Sequence, residues 1–174
     1  FEVYADGIDL VVFEEFGSGA AALHLRDEVE RDALLGDEDY RRQFRKDYDS
    51  RFGVRVWHRD FFDAEIVACP DDSVIGKSFG QVGVDRGGLH PVDAFLDLVV
   101  EHGSKVRWRT TISNHRPDVL KKLARDDAIQ MGFSDAGAHL RNMAFYNFGL
   151  RLLRHVRDAE RAGRDSREQA EDQQ

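Results

Sequence analysis

At 174 residues and 41% hydrophobic composition, the chain is long enough for one compact domain with a sizeable core. A net charge of −8 with 33% charged residues excludes a broad basic surface for nucleic acid or anionic membrane. No apolar run approaches the ~20 residues that span a bilayer, no secretion signal opens the chain, and one cysteine, Cys69, rules out a disulfide framework and fits the reducing cytoplasm.

The first methionine is Met131, so the chain reads as a fragment of a longer protein. Residues 1–16 are aromatic and aliphatic with a turn at Asp6-Gly7, which predicts a strand or loop that packs. Leu23, Val29 and Ala33 among alternating charges predict a helix over 20–35. Residues 37–52, dense in Arg, Asp and Tyr, predict a solvated helical excursion rather than core. The apolar run 64–69, ended by Pro70-Asp71-Asp72, predicts a buried strand and a turn.

Ser78 and Gln81 have the spacing of a capping box, in which the hydroxyl accepts from a backbone N–H and the amide reaches back. After Pro91, the side chains of Val92, Phe95, Leu96 and Val99 share one helical face, and Gly103 supplies a stop. Val106, Trp108, Thr110 and Ile112 then alternate with polar residues as a strand, and Pro117 opens a helix with Val119, Leu120 and Leu123 inward. A second unit repeats the pattern: Ile129, Met131 and Phe133 alternate, and Phe145, Phe148, Leu152 and Val156 form an apolar helical stripe. Strand and helix in alternation predict parallel pairing, because a crossover helix returns the chain to start the next strand in the same direction. The fold class expected is therefore α/β, followed by a polar tail over 161–174.

The sharpest chemical feature is Gly132-Phe133-Ser134-Asp135-Ala136-Gly137-Ala138-His139, a carboxylate just past a predicted strand with an imidazole four residues on. Side chains at the C-terminal strand ends of α/β barrels converge on one site, where an Asp holds a metal or takes a proton. On pattern alone, Asp135 is equally a cap for the following segment, with His139 bonded inside the loop.

Residues Met131 to His139 resemble the final barrel strand of the amidohydrolase superfamily, and Ser134 to His139 resembles its N-acyl-D-amino-acid deacylase branch. Three further stretches resemble the same family in the same order: Ile75 to Phe79, His90 to Leu98, and Asn114 to Leu123. The resemblance implies an incomplete (β/α) TIM-barrel segment with parallel strands over 1–160, a helical N-terminal excursion included. It implies a metal-dependent enzyme that hydrolyses a linear amide, an N-acyl-D-amino acid, with zinc as cofactor. Asp135 inherits the roles of metal ligand and general base, and His139 that of a group facing the substrate.

The family's His-x-His pair is absent from this chain, and a catalytic zinc takes about three protein ligands, so the chain alone is expected to be inactive. A barrel needs about 250 residues, and the open edges of parallel strands near Val106 and Ile129 predict self-association.

Other candidates carry less. Arg107 and Arg109 share a strand face, and Arg109 is a candidate for a substrate carboxylate or for surface pairing. Asn114 and His115 follow that strand, Asn114 as a substrate-binding candidate or as the cap of the helix at Pro117. Gly76-Lys77-Ser78-Phe79-Gly80 matches G-x-S-x-G, the serine-hydrolase elbow, although no strand runs straight into it. Cys69, beside a proline and two acids, reads as a buried structural thiol. A reading from another class makes the whole segment a non-catalytic folding or assembly unit.

Overall fold

The computed structural model describes residues 2–53, 55–112 and 116–129, and within 149–161 all but 151, 155 and 159. The chain divides into two units, Phe1–Ser113 and Asn114–Gln174.

The first unit is built on a three-stranded sheet of β1 (Glu2–Asp6), β2 (Glu65–Ala68) and β3 (Arg107–Thr111), in the order β1-β3-β2. Both pairings are antiparallel, running from Glu2↔Thr111 to Asp6↔Arg107 on one side and through Glu65↔Arg109 and Ile66↔Trp108 on the other. The expected parallel barrel segment is thus corrected for this unit. The physical reason is a parity. Two helices, α4 (Phe79–Asp85) and α5 (Pro91–His102), join β2 to β3. A single crossover helix reverses the chain once and starts the next strand parallel, whereas a pair reverses it twice and delivers an antiparallel one. Because β3 has a partner on both sides, the open edge expected near Val106 is absent.

The turn foreseen at Asp6-Gly7 closes β1 on the end of α5. Gly7 adopts φ +56, its N–H donates to Val106 O at 2.7 Å, and a Cβ there would stand 2.9 Å from Gly103 O. Only glycine fits both the backbone and the space.

The span 20–35 forms two helices, α1 (Gly17–His24) and α2 (Glu28–Gly36), rather than one. Asp27 divides them, its carboxylate capping α2 by accepting from Glu30 N at 2.9 Å. α3 (Glu38–Asp49) is the predicted solvated excursion, and here too the structure differs: Phe44 is fully buried and Tyr48 nearly so. These two side chains lie four residues apart on one helical face, so the helix is amphipathic and forms a wall of the core. Arg41 and Arg45 on α3 pair with Asp97 at 2.6 Å and Asp93 at 2.5 Å on α5.

α5 forms as predicted, with proline in its first turn and its apolar residues Val92, Phe95, Leu96 and Val99 buried. Gly103 ends it at φ 57. Ser78 caps α4 by accepting from Gln81 N at 3.1 Å, but the Gln81 amide turns away to Asp85 at 2.8 Å, leaving half of the capping box.

Between the sheet and the helices lies an aromatic core. Phe95 stacks on Phe61 at 4.7 Å and on Phe13 at 5.6 Å, and meets the edges of Phe79 at 5.0 Å and Trp108 at 5.8 Å. Each such pair contributes about 0.5–1.5 kcal/mol beyond its buried area.

In the second unit Pro117 opens α6 (Pro117–Leu123) as expected, but Val119 and Leu120 are only half-buried and Leu123 is 40% exposed. The described residues of 149–161 are helical, with Leu152 and Val156 half-buried, in line with the predicted stripe. The strand predicted through Met131 and Phe133 and the tail over 162–174 lie outside the described residues. No helix among the described residues is long and apolar enough to cross a membrane.

Candidate functional site

Of the residues singled out by sequence, Asp135, His139, Asn114 and His115 lie outside the described residues. Arg109 is described, and its surroundings form the main polar arrangement of the first unit. Alternation along β3 sends Trp108 and Thr110 into the core and leaves Arg107, Arg109 and Thr111 half-buried on the opposite face. On that face Arg109 Nη1 donates to Glu2 at 3.1 Å, and Nη2 to Glu65 at 2.7 Å. The hydrogen bond it donates to Glu65 holds the Arg109 guanidinium above its already high ordinary pKa, against the opposing effect of burial. The side chain therefore ties β1, β3 and β2 together, which matches the pairing reading of Arg109. Arg107 makes the parallel contact on the next rung, donating to Asp6 at 2.7 Å.

Beside this row an open cleft of about 390 Å³ is lined by Phe62, Asp63, Glu65, Lys77, Ser78 and Gln81. Its charged groups are engaged by neighbouring residues. Asp63 Oδ2 accepts from Thr111 N at 3.0 Å and from Thr110 Oγ1 at 3.3 Å, and lies 3.4 Å from His58 Nε2. The Lys77 ammonium bonds Asp85 at 2.9 Å and holds that carboxyl below its usual range, assisted by the bond from Gln81.

Ser78, the residue that a serine-hydrolase reading would use, sits at φ −81 and ψ 158, an unstrained extended conformation. An elbow nucleophile is held on a strained strand-to-helix turn, and this hydroxyl is instead engaged as a helix cap. Among the described residues no histidine hydrogen-bonds it. Cys69 is buried, and burial pushes its thiol above the ordinary value, as a structural cysteine requires.

Among the described residues no group of three or more His, Cys, Asp or Glu side chains is placed to hold a metal ion. His90 caps α5, its Nδ1 accepting from Val92 N at 3.2 Å.

Relatives are found in mycobacteria. The chain is 64% identical over 165 residues to an uncharacterized protein of Mycobacterium bovis and, to the same extent, to one of Mycobacterium tuberculosis. The match covers 94% of this chain but spans only 27% of the length of those relatives. No family model matches the chain. No solved structure matches it.

Sequence reasoning missed the partners of Arg109, although a signal for them was present. Glu2-Val3-Tyr4-Ala5-Asp6 alternates polar and apolar residues, the mark of a strand with one charged face, and its acids complement Arg107 and Arg109. The other partner of Arg109, Glu65, stands on a strand that the apolar run had already located.

Proposed function

We propose that the chain is part of a longer metal-dependent amidohydrolase that removes the acyl group from an N-acyl-D-amino acid in the cytoplasm. The observation that carries this reading is the run Ser134 to His139, preceded in the same order by the stretches at 75–79, 90–98 and 114–123. It stands without a parallel barrel layer in residues 2–112. The relatives' greater length gives the reading room for the ligands that this chain lacks. A catalytic zinc takes about three protein ligands. The described residues do not fit such a centre, and Asp135 would be one ligand of a set completed in the longer protein.

In this reading the Asp135 carboxylate takes a proton from the attacking water and returns it to the departing amine nitrogen. His139 faces the substrate, and Asn114 is a further candidate contact. Arg109 already pairs with two carboxylates, so a substrate carboxylate would share its guanidinium with Glu2 and Glu65.

The experiment is Asp135→Asn in the full-length protein, assayed on N-acyl-D-amino acids. Loss of turnover by about 10²–10⁴-fold with an unchanged circular dichroism spectrum is the expected result; retained turnover overturns the assignment.

One observation favours a second role for the first unit. It closes its own core with three strands and five helices of residues 2–112, a self-contained packing unit of the kind that supports a site without supplying its chemistry.

A further inference from the structure

The strongest unexplained feature is a group of cationic side chains on the loop between α3 and β2. Arg55 is half-buried, and its Nε and Nη2 are both shielded from solvent with no hydrogen-bond partner. These two nitrogens form one edge of the guanidinium, the edge whose parallel N–H bonds match the two oxygens of a carboxylate or phosphate. Arg59 is nearly fully buried, and its Nε also has no partner. Its Nη1 donates to Asp47 O at 2.9 Å, while Nη2 stands 3.7 Å from Glu15 Oε2, beyond hydrogen-bond reach.

Glu15 forms an ion pair with Arg59 at 3.7 Å but accepts no hydrogen bond from Arg55. Its Oε1 is occupied by the N–H groups of Val56 at 2.8 Å and Trp57 at 3.1 Å, and its Oε2 is buried without a hydrogen bond. Arg59 and Arg51 repel the charge of Arg55, and Glu15 attracts it. Arg59 is the one non-glycine residue at positive φ among the described residues, at 55°.

We infer that Arg55 anchors a binding site for a small oxyanion, a carboxylate or phosphate group taken side-on by Nε and Nη2. A shielded donor without a partner forfeits its bonds to water, and a guanidinium forfeits more than a neutral group does. A water molecule would satisfy one donor but leave the excess charge, whereas an oxyanion answers both. Phe52 and Val56 on the same loop are 90% and 61% exposed, so the loop that carries Arg55 lies at the surface.

The test uses the 174-residue chain labelled with ¹⁵N, titrated separately with sodium phosphate and sodium acetate, with sodium chloride at matched ionic strength as baseline. The arginine Nε–H resonances and the Tm are followed. A saturable shift of one Nε–H with a rise in Tm is expected for at least one salt, and the salt that produces it assigns phosphate or carboxylate as the ligand class. Arg55→Lys, which keeps the charge but loses the paired edge, should weaken that response about tenfold. Arg51→Lys, at an exposed position, should keep it. No saturable response beyond chloride in the unaltered chain overturns the site, as does an equal response in Arg55→Lys.

Discussion

The two faces of β3 are made by alternate residues of one short strand, yet they are held by different physics. On one face Trp108 is fully buried against Phe61, Phe79 and Phe95, and Thr110 is 1% exposed with its hydroxyl between Trp57 Nε1 at 3.2 Å and Asp63 at 3.3 Å. On the other face Arg109 keeps 35% of its side chain exposed while bridging Glu2 and Glu65. Volume and hydrogen bonding specify the first face, and charge complementarity the second. Water close to the second face can compete for every group on it, so its ion pairs specify which strands pair more than they stabilise the result.

Substitutions on each side sharpen this contrast. Phe95→Ala, on the helix that covers the buried face, removes a ring at the centre of the cluster and should cost about 3–5 kcal/mol in urea unfolding. A cost below about 1 kcal/mol would mean that the cluster is loosely packed. Thr110→Val keeps shape while removing the hydroxyl that serves Trp57 and Asp63, with an expected loss of about 1–3 kcal/mol. Arg109→Met should cost at most about 1 kcal/mol, with a difference that fades in high salt. If it cost as much as Thr110→Val and ignored salt, the two faces would not differ in the way described.

Much of the first unit was legible because its signals are local. Proline at the start, a stripe at helical spacing and Gly103 at the end mark α5, and alternation marks β3 together with its buried face. The break at Asp27 was also written locally, as an Asp followed three residues later by Glu30, but the run of charges around it masked the cap. What could not be read was the sense of strand pairing, because it depends on how many helices intervene and on which distant strand supplies the partner. The burial of α3 was hidden for a related reason: Phe44 and Tyr48 are few among many charges, and the carboxylates that accept Arg41 and Arg45 stand on another helix. At the candidate site the carboxylates that hold Arg109 come from strands 44 and 107 residues away in sequence, beyond any spacing rule. The Asp135 motif lies outside the described residues, so the reading placed on it rests on the sequence alone.

The pairing of Glu2 with Thr111 has a bearing on how the protein is made. During synthesis β1 leaves the ribosome before β3, the strand beside which it belongs, which is translated about a hundred residues later, and closing so long a loop is entropically costly. Until then the apolar side of β1, Val3 and Ala5, lacks the strand it pairs with here, and the interval is a window in which a chaperone would find it uncovered.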